Sequence, residues 1–167
     1  MLATESAFKE DAGKGFNVIH LAVHGVSNSA DPDDAYLALL PDKSADDDGL
    51  LHASEIAMMR LHTNLVVLSA CDTAVGTLQG EEGISTISES FLLAGASSVI
   101  STLWSVDDTS SLFLMKRFYL HLENGEPPGA ALAAAKREML HTFGKSAVPY
   151  YWAGFTFEGA LGRNARG

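Results

Sequence analysis

One histidine and one cysteine occupy equivalent places in this chain. His24-Gly25 closes the apolar run Val18-Ile19-His20-Leu21-Ala22-Val23, and Cys71 closes the run Leu65-Val66-Val67-Leu68-Ser69-Ala70. A thiol beside an imidazole makes a nucleophile and its base, the pair that opens an amide carbonyl through a thioester. The imidazole also stabilises the thiolate, which is the reactive form of the sulfur. Gly25 lets the backbone turn sharply and bring its N–H close to a substrate carbonyl. With the N–H of Cys71 it would form an oxyanion hole, in which one donor is typically worth about 3 kcal/mol of barrier stabilisation.

Such a pair works only if the fold brings the two side chains together. Both runs read as short buried strands. Neighbouring parallel strands would present their last residues on one sheet edge, where open α/β folds gather their chemistry. Taken alone, Cys71 reads as a small buried hydrophobe. Its place at a strand end, followed by polar Asp72-Thr73, gives it a route to solvent. His20, His52, His62, His121 and His141 read as surface or satisfied core residues.

The remaining pattern alternates strand and helix. Residues 3 to 11 have a weak helical pattern ended by Gly13 and Gly15. Tyr36 to Leu40 is a short strand ended by Pro41-Asp42, and Ser54 to Met59 is a short helix. A glycine-spaced loop from Gly76 to Gly83 leads into a helix over Ile84 to Ala94. Ser98 to Trp104 is a third apolar strand. Asp107-Asp108-Thr109 supplies capping residues for a helix from about Ser110 to Leu122, stopped by Asn124-Gly125. Pro127-Pro128 opens an alanine-rich helix to about Thr142, and Tyr150 to Phe157 is a last strand. This order predicts one α/β domain over residues 1–167, a mostly parallel sheet with helices on both faces.

The chain has 167 residues, 47% of them apolar and 19% charged, as in ordinary globular proteins. A net charge of −10 disfavours nucleic acid and anionic lipid surfaces as partners. No apolar stretch approaches the roughly 18 residues of a membrane span, and the first residues lack the pattern of a signal peptide. A single cysteine excludes an internal disulfide and fits a reducing compartment, so a cytoplasmic location is expected. Asp31, Asp33, Asp34, Asp42, Asp46, Asp47 and Asp48 crowd one stretch, but the glycine and glutamate spacing of a calcium loop is not met. No histidine and carboxylate spacing suggests zinc, and neither a metal nor a cofactor is expected.

Four segments resemble the CHAT domain, a bacterial branch of the caspase-like cysteine peptidases. His20-Leu21-Ala22-Val23-His24-Gly25 is similar to the family's histidine motif, and Leu65 through Ala74, containing Ser69-Ala70-Cys71-Asp72, to its cysteine motif. Ala94 through Asp108, containing Ser101-Thr102-Leu103-Trp104-Ser105-Val106-Asp107, resembles the signature after the catalytic strand. Pro149-Tyr150-Tyr151-Trp152-Ala153-Gly154-Phe155 resembles the closing strand. Cys71 follows His24 by 47 positions, close to the roughly 50 that separate the caspase pair in the same order.

The resemblance implies a caspase-like three-layer sandwich with His24 and Cys71 as the dyad and a protein or peptide as substrate. It implies a cleft with Ser69, Asp72, Ser101, Trp104 and Asp107 as lining candidates, Trp104 forming a wall. Core packing for Trp104 and helix capping for Asp108 are equally good readings. A substrate strand adding to the sheet near Ser101 to Trp104 is expected. Some relatives specific for basic residues carry an acidic group where Ser69 stands, which leaves selectivity open here. Family domains also carry further sheet before Ala3-Thr4-Glu5. An exposed sheet edge is therefore expected, covered by a regulatory partner or by a missing N-terminal segment.

Two functions stay open on this reading, a cysteine endopeptidase and a non-catalytic interaction module. A phosphate binder at Gly76, Gly80 and Gly83 is disfavoured, because the spacing fits no nucleotide motif and Glu81 and Glu82 would repel the ligand.

Overall fold

The computed structural model describes residues 3–26, 34–42, 47–69 and 81–160, with only the backbone for 81–85. The sequence runs α1 (Glu5–Ala12), β1 (Val18–Leu21), β2 (His24–Val26), β3 (Tyr36–Ala38), β4 (Leu50–His52), α2 (Ala53–Met58), β5 (Leu65–Leu68), α3 (Glu81–Leu93), β6 (Ser98–Thr102), α4 (Asp108–Glu123), α5 (Pro128–Phe143) and β7 (Phe155–Gly159).

The main sheet has the order β1-β5-β6-β7. β1, β5 and β6 are parallel, with His20 opposite Val67 and Val67 opposite Ile100. β7 returns antiparallel to β6, pairing Thr102 with Phe155 and Ser98 with Gly159. The strand period of two sorts the side chains into two cores. Ile19, Leu21, Val66, Leu68 and Val99 point to one face and pack with Ile56 of α2 and Ile87 and Phe91 of α3. Leu65, Val67 and Ile100 point to the other and pack with Leu114 and Phe118 of α4 and Leu132 and Ala135 of α5. This is the three-layer α/β sandwich expected from the alternating pattern.

The helices begin and end where local chemistry dictates. The Thr4 hydroxyl accepts the Ala7 N–H at the start of α1, and the Asp107 carboxylate accepts the Ser110 N–H at the start of α4. Pro128 occupies the first turn of α5, where a missing N–H costs nothing. After α3 the chain turns at Gly95 with φ +112°, and a Cβ there would stand 2.5 Å from the Leu61 carbonyl oxygen. Only glycine fits that turn.

Three expectations change. The apolar run that ends in His24-Gly25 is not one strand: it breaks at Ala22-Val23. β2, β3 and β4 form a separate antiparallel sheet with His24 opposite Ala38 and Tyr36 opposite His52. The sharp turn expected at Gly25 is absent, and Gly25 lies within β2 opposite Leu37. The segment from Tyr150 is not yet strand: Pro149–Tyr151 forms a 3-10 turn, and β7 starts only at Phe155. The glycine-spaced loop lies outside the described residues up to Gly80.

Candidate active site

The C-terminal ends of β1 and β5 stand side by side. One bond past the ladder, the Ser69 N–H donates to the Leu21 carbonyl at 2.9 Å. The chain leaving β1 bends at Ala22-Val23 and enters β2 at His24, which is exposed. The result is an open cleft of about 450 Å³ lined by Ala22, Val23, His24, Ala38, Ser69 and Asp108. The segments that leave β1 and β5 thus meet residues of β3 and α4 around one imidazole, at the sheet edge where parallel strands deliver reactive groups. Among the described residues no side chain bonds the His24 ring.

Cys71 and Asp72, the proposed nucleophile and one lining candidate, lie outside the described residues. Of the other candidates, Ser69 lines the cleft with His24. Ser101 is 1% exposed, with its hydroxyl 3.0 Å from that of Thr156 on β7. It is sealed between two strands. Asp107 spends its carboxylate on the Ser110 N–H and hydroxyl. The next residue, Asp108, carries the carboxylate that lines the cleft. The sequence alone gave both aspartates a capping role. Their difference is visible only once the helix start is known: Asp107 is the cap residue of α4 and Asp108 its first helical residue.

Trp104 is half-buried, and its indole N–H donates to the Tyr150 carbonyl at 2.9 Å. Its ring stacks on that of Tyr150, with centroids 6.4 Å apart, and packs at the edge of the α4–α5 core. On its β7 side the segment expected to receive a substrate strand is taken, because β7 pairs with β6 from Ser98 to Thr102 and the Leu103 N–H donates to the Gly154 carbonyl at 2.9 Å. Among the described residues the main sheet has two edges without a further strand partner, β1 and β7.

His20, only four residues before His24, faces a different layer. Its Nδ1 is 2.9 Å from the Tyr119 hydroxyl of α4. Burial lowers the imidazole's pKa and pushes the Tyr119 phenol up to about 12, so this pair is a neutral hydrogen bond tying α4 to the outer strand. Among the described residues no cluster of histidine, cysteine and carboxylate groups could hold a metal ion, and no helix is long and apolar enough to cross a membrane.

The fold and this cleft define a caspase-like α/β domain. The CHAT domain family matches residues 2–160, and the chain belongs to that family. It is 34% identical over 111 residues to tetratricopeptide repeat protein 28 of Mus musculus and 31% identical over 111 residues to tetratricopeptide repeat protein 28 of Homo sapiens. Each match covers 66% of this chain and 4% of the relative. The chain therefore spans a small part of the curated relatives it matches.

Proposed function

We propose that this chain is a cysteine endopeptidase acting through Cys71 and His24. The observation that carries the reading is the cleft at the ends of β1 and β5, where His24 and Ser69 line one wall-to-wall opening. Cys71 follows Ser69 by two residues, a covalent reach of at most about 7 Å along the chain. The thiol gives its proton to His24 as sulfur attacks the scissile carbonyl carbon. Backbone N–H groups of Gly25 and Cys71 hold the oxyanion. The imidazolium then protonates the leaving amine as the C–N bond breaks, and water hydrolyses the thioester to release the acid and free the thiol. A cytoplasmic setting belongs to the same proposal, since the mechanism needs a reduced thiol.

A second reading is a non-catalytic interaction module. The relatives' name supports it, since it describes repeat proteins rather than an enzyme. The unpaired edge of β1 also supports a regulatory partner or a further segment pairing there.

One experiment separates the two readings. The full chain is incubated with a randomised peptide library, and products are read by mass spectrometry. Peptidase action predicts cleavage that Cys71→Ala abolishes and His24→Ala lowers by about 100-fold or more. It also predicts iodoacetamide labelling of Cys71 that slows in His24→Ala. Full cleavage by Cys71→Ala would end the peptidase reading.

A further inference from the structure

We propose that Asp108 selects the substrate, by holding a cationic arginine or lysine side chain of the bound peptide in the cleft beside His24. The proposal rests on the peptidase reading for what enters the cleft, and it names the chemistry that Ser69 cannot supply.

Four observations support it. Asp108 lines the same opening as His24 and Ser69, and it is the one carboxylate among the described lining residues. Among the described lining residues there is no lysine or arginine to neutralise it. The cap of α4 is already supplied by Asp107, whose carboxylate takes the Ser110 N–H at 3.0 Å. Asp108 therefore has no structural task at the helix start. No described group bonds its carboxylate, and it stands in the first turn of the 16-residue α4.

The surrounding surface suits the rest of such a side chain. Ala22, Val23 and Ala38 offer small apolar walls. The methylene stem of an arginine or lysine can lie on such walls while its head reaches a carboxylate. The net charge of −10 would draw basic peptides toward the protein before contact.

Two randomised peptide pools that differ at one fixed position, arginine or its neutral isostere citrulline, test this. Binding is read by fluorescence polarisation on the full-length Cys71→Ala variant, so turnover is not needed. The expected result is about tenfold tighter binding of the arginine pool, weakening with salt, and loss of that preference in Asp108→Asn. Asp108→Lys should instead favour a glutamate pool, and circular dichroism checks that each variant is folded. Equal binding of arginine and citrulline, or a preference that survives Asp108→Asn, would overturn the proposal. Cleavage by the unmodified chain is scored separately. Charge-selective binding without cleavage removes the peptidase reading and leaves Asp108 as the selector of a basic ligand. Cleavage that falls equally for both pools in Asp108→Asn means the carboxylate acts through His24, and selection is refuted.

Discussion

Replacing Lys9 by methionine should loosen the sheet that carries His24. The Lys9 ammonium of α1 touches three carboxylates: Glu5 at 2.7 Å, Asp47 at 3.0 Å and Glu55 of α2 at 2.8 Å. Glu5 is 1% exposed, and its other oxygen accepts the Gly49 N–H at 2.8 Å. The amine thus ties α1 to the residues that enter β4 and to the helix that leaves it. β4 pairs with β3, and β3 holds His24 in β2. Methionine keeps the apolar stem and removes the charge.

Breaking a fully buried ion pair costs about 3–5 kcal/mol, whereas exposed pairs are worth about 0–1 kcal/mol. Here one carboxylate is buried, while Lys9 is 28% exposed and its other partners are partly solvated. The expected loss is therefore about 2–3 kcal/mol. In a protein of this size that lowers the melting temperature by about 4–12 °C. Urea unfolding followed by circular dichroism measures it.

The loss must also depend on pH in a defined direction. Desolvation raises the Glu55 carboxyl, but the Lys9 contact and the His52 N–H outweigh it and hold its pKa below the usual value. Its contribution is full above the ordinary carboxylate range and disappears as pH falls through the depressed value. Desolvation lowers Lys9, but its three carboxylate bonds prevail and hold the ammonium above its ordinary value. That contribution is full below the ordinary lysine value and is lost only as pH rises through the raised one. The gap between the parent and Lys9→Met should be widest between about pH 5 and about pH 10 and shrink in acid. A variant within about 0.5 kcal/mol of the parent at pH 7, or a gap unchanged at pH 3, would refute the reasoning.

Two further outcomes follow from contacts elsewhere. His121 of α4 is raised by its bond to Glu126, an effect that burial opposes and that Glu138 of α5 reinforces, with contacts of 2.6 and 2.8 Å. Its stabilisation is present below the ordinary histidine value and lost as pH rises through the folded one. The cost of His121→Gln, below about 1 kcal/mol for so solvated a pair, should therefore be larger at pH 5.5 than at pH 9 in urea titrations. A Cβ at Gly154 would stand 2.8 Å from the Trp104 ring. Gly154→Ala should lose about 1–3 kcal/mol, and a double-mutant cycle with Trp104→Leu should recover most of it.

Much of the main sheet and its helices was legible in one dimension. Runs such as Leu65-Val66-Val67-Leu68 and Val99-Ile100 are apolar at every position because both faces of a covered parallel sheet are buried. Asp107 and Pro128 mark helix starts because a carboxylate or a ring acts on the nearest backbone groups, and Gly125 marks a helix end because it takes a positive φ of 88° at no steric cost. The motifs around His24, Cys71 and Trp104 identified the family for the same reason: they are local strings. The direction of β7 was not legible, since an antiparallel partner and a parallel one draw on the same residue types.

The tertiary structure decided what depends on contacts between distant segments. Val18 to Gly25 reads as one strand because hydrophobicity does not report a bend. The break at Ala22-Val23 arises because β2 pairs with β3, in a sheet that β4 completes, rather than continuing beside β5. The same applies to Asp107 and Asp108. Adjacent residues of one type look alike in sequence, but the helix start turns the Asp107 carboxylate onto its own backbone, while Asp108 lines a cleft shared with β2, β3 and the segments that leave β1 and β5. Local chemistry is written along the chain, whereas a shared opening exists only when remote segments converge.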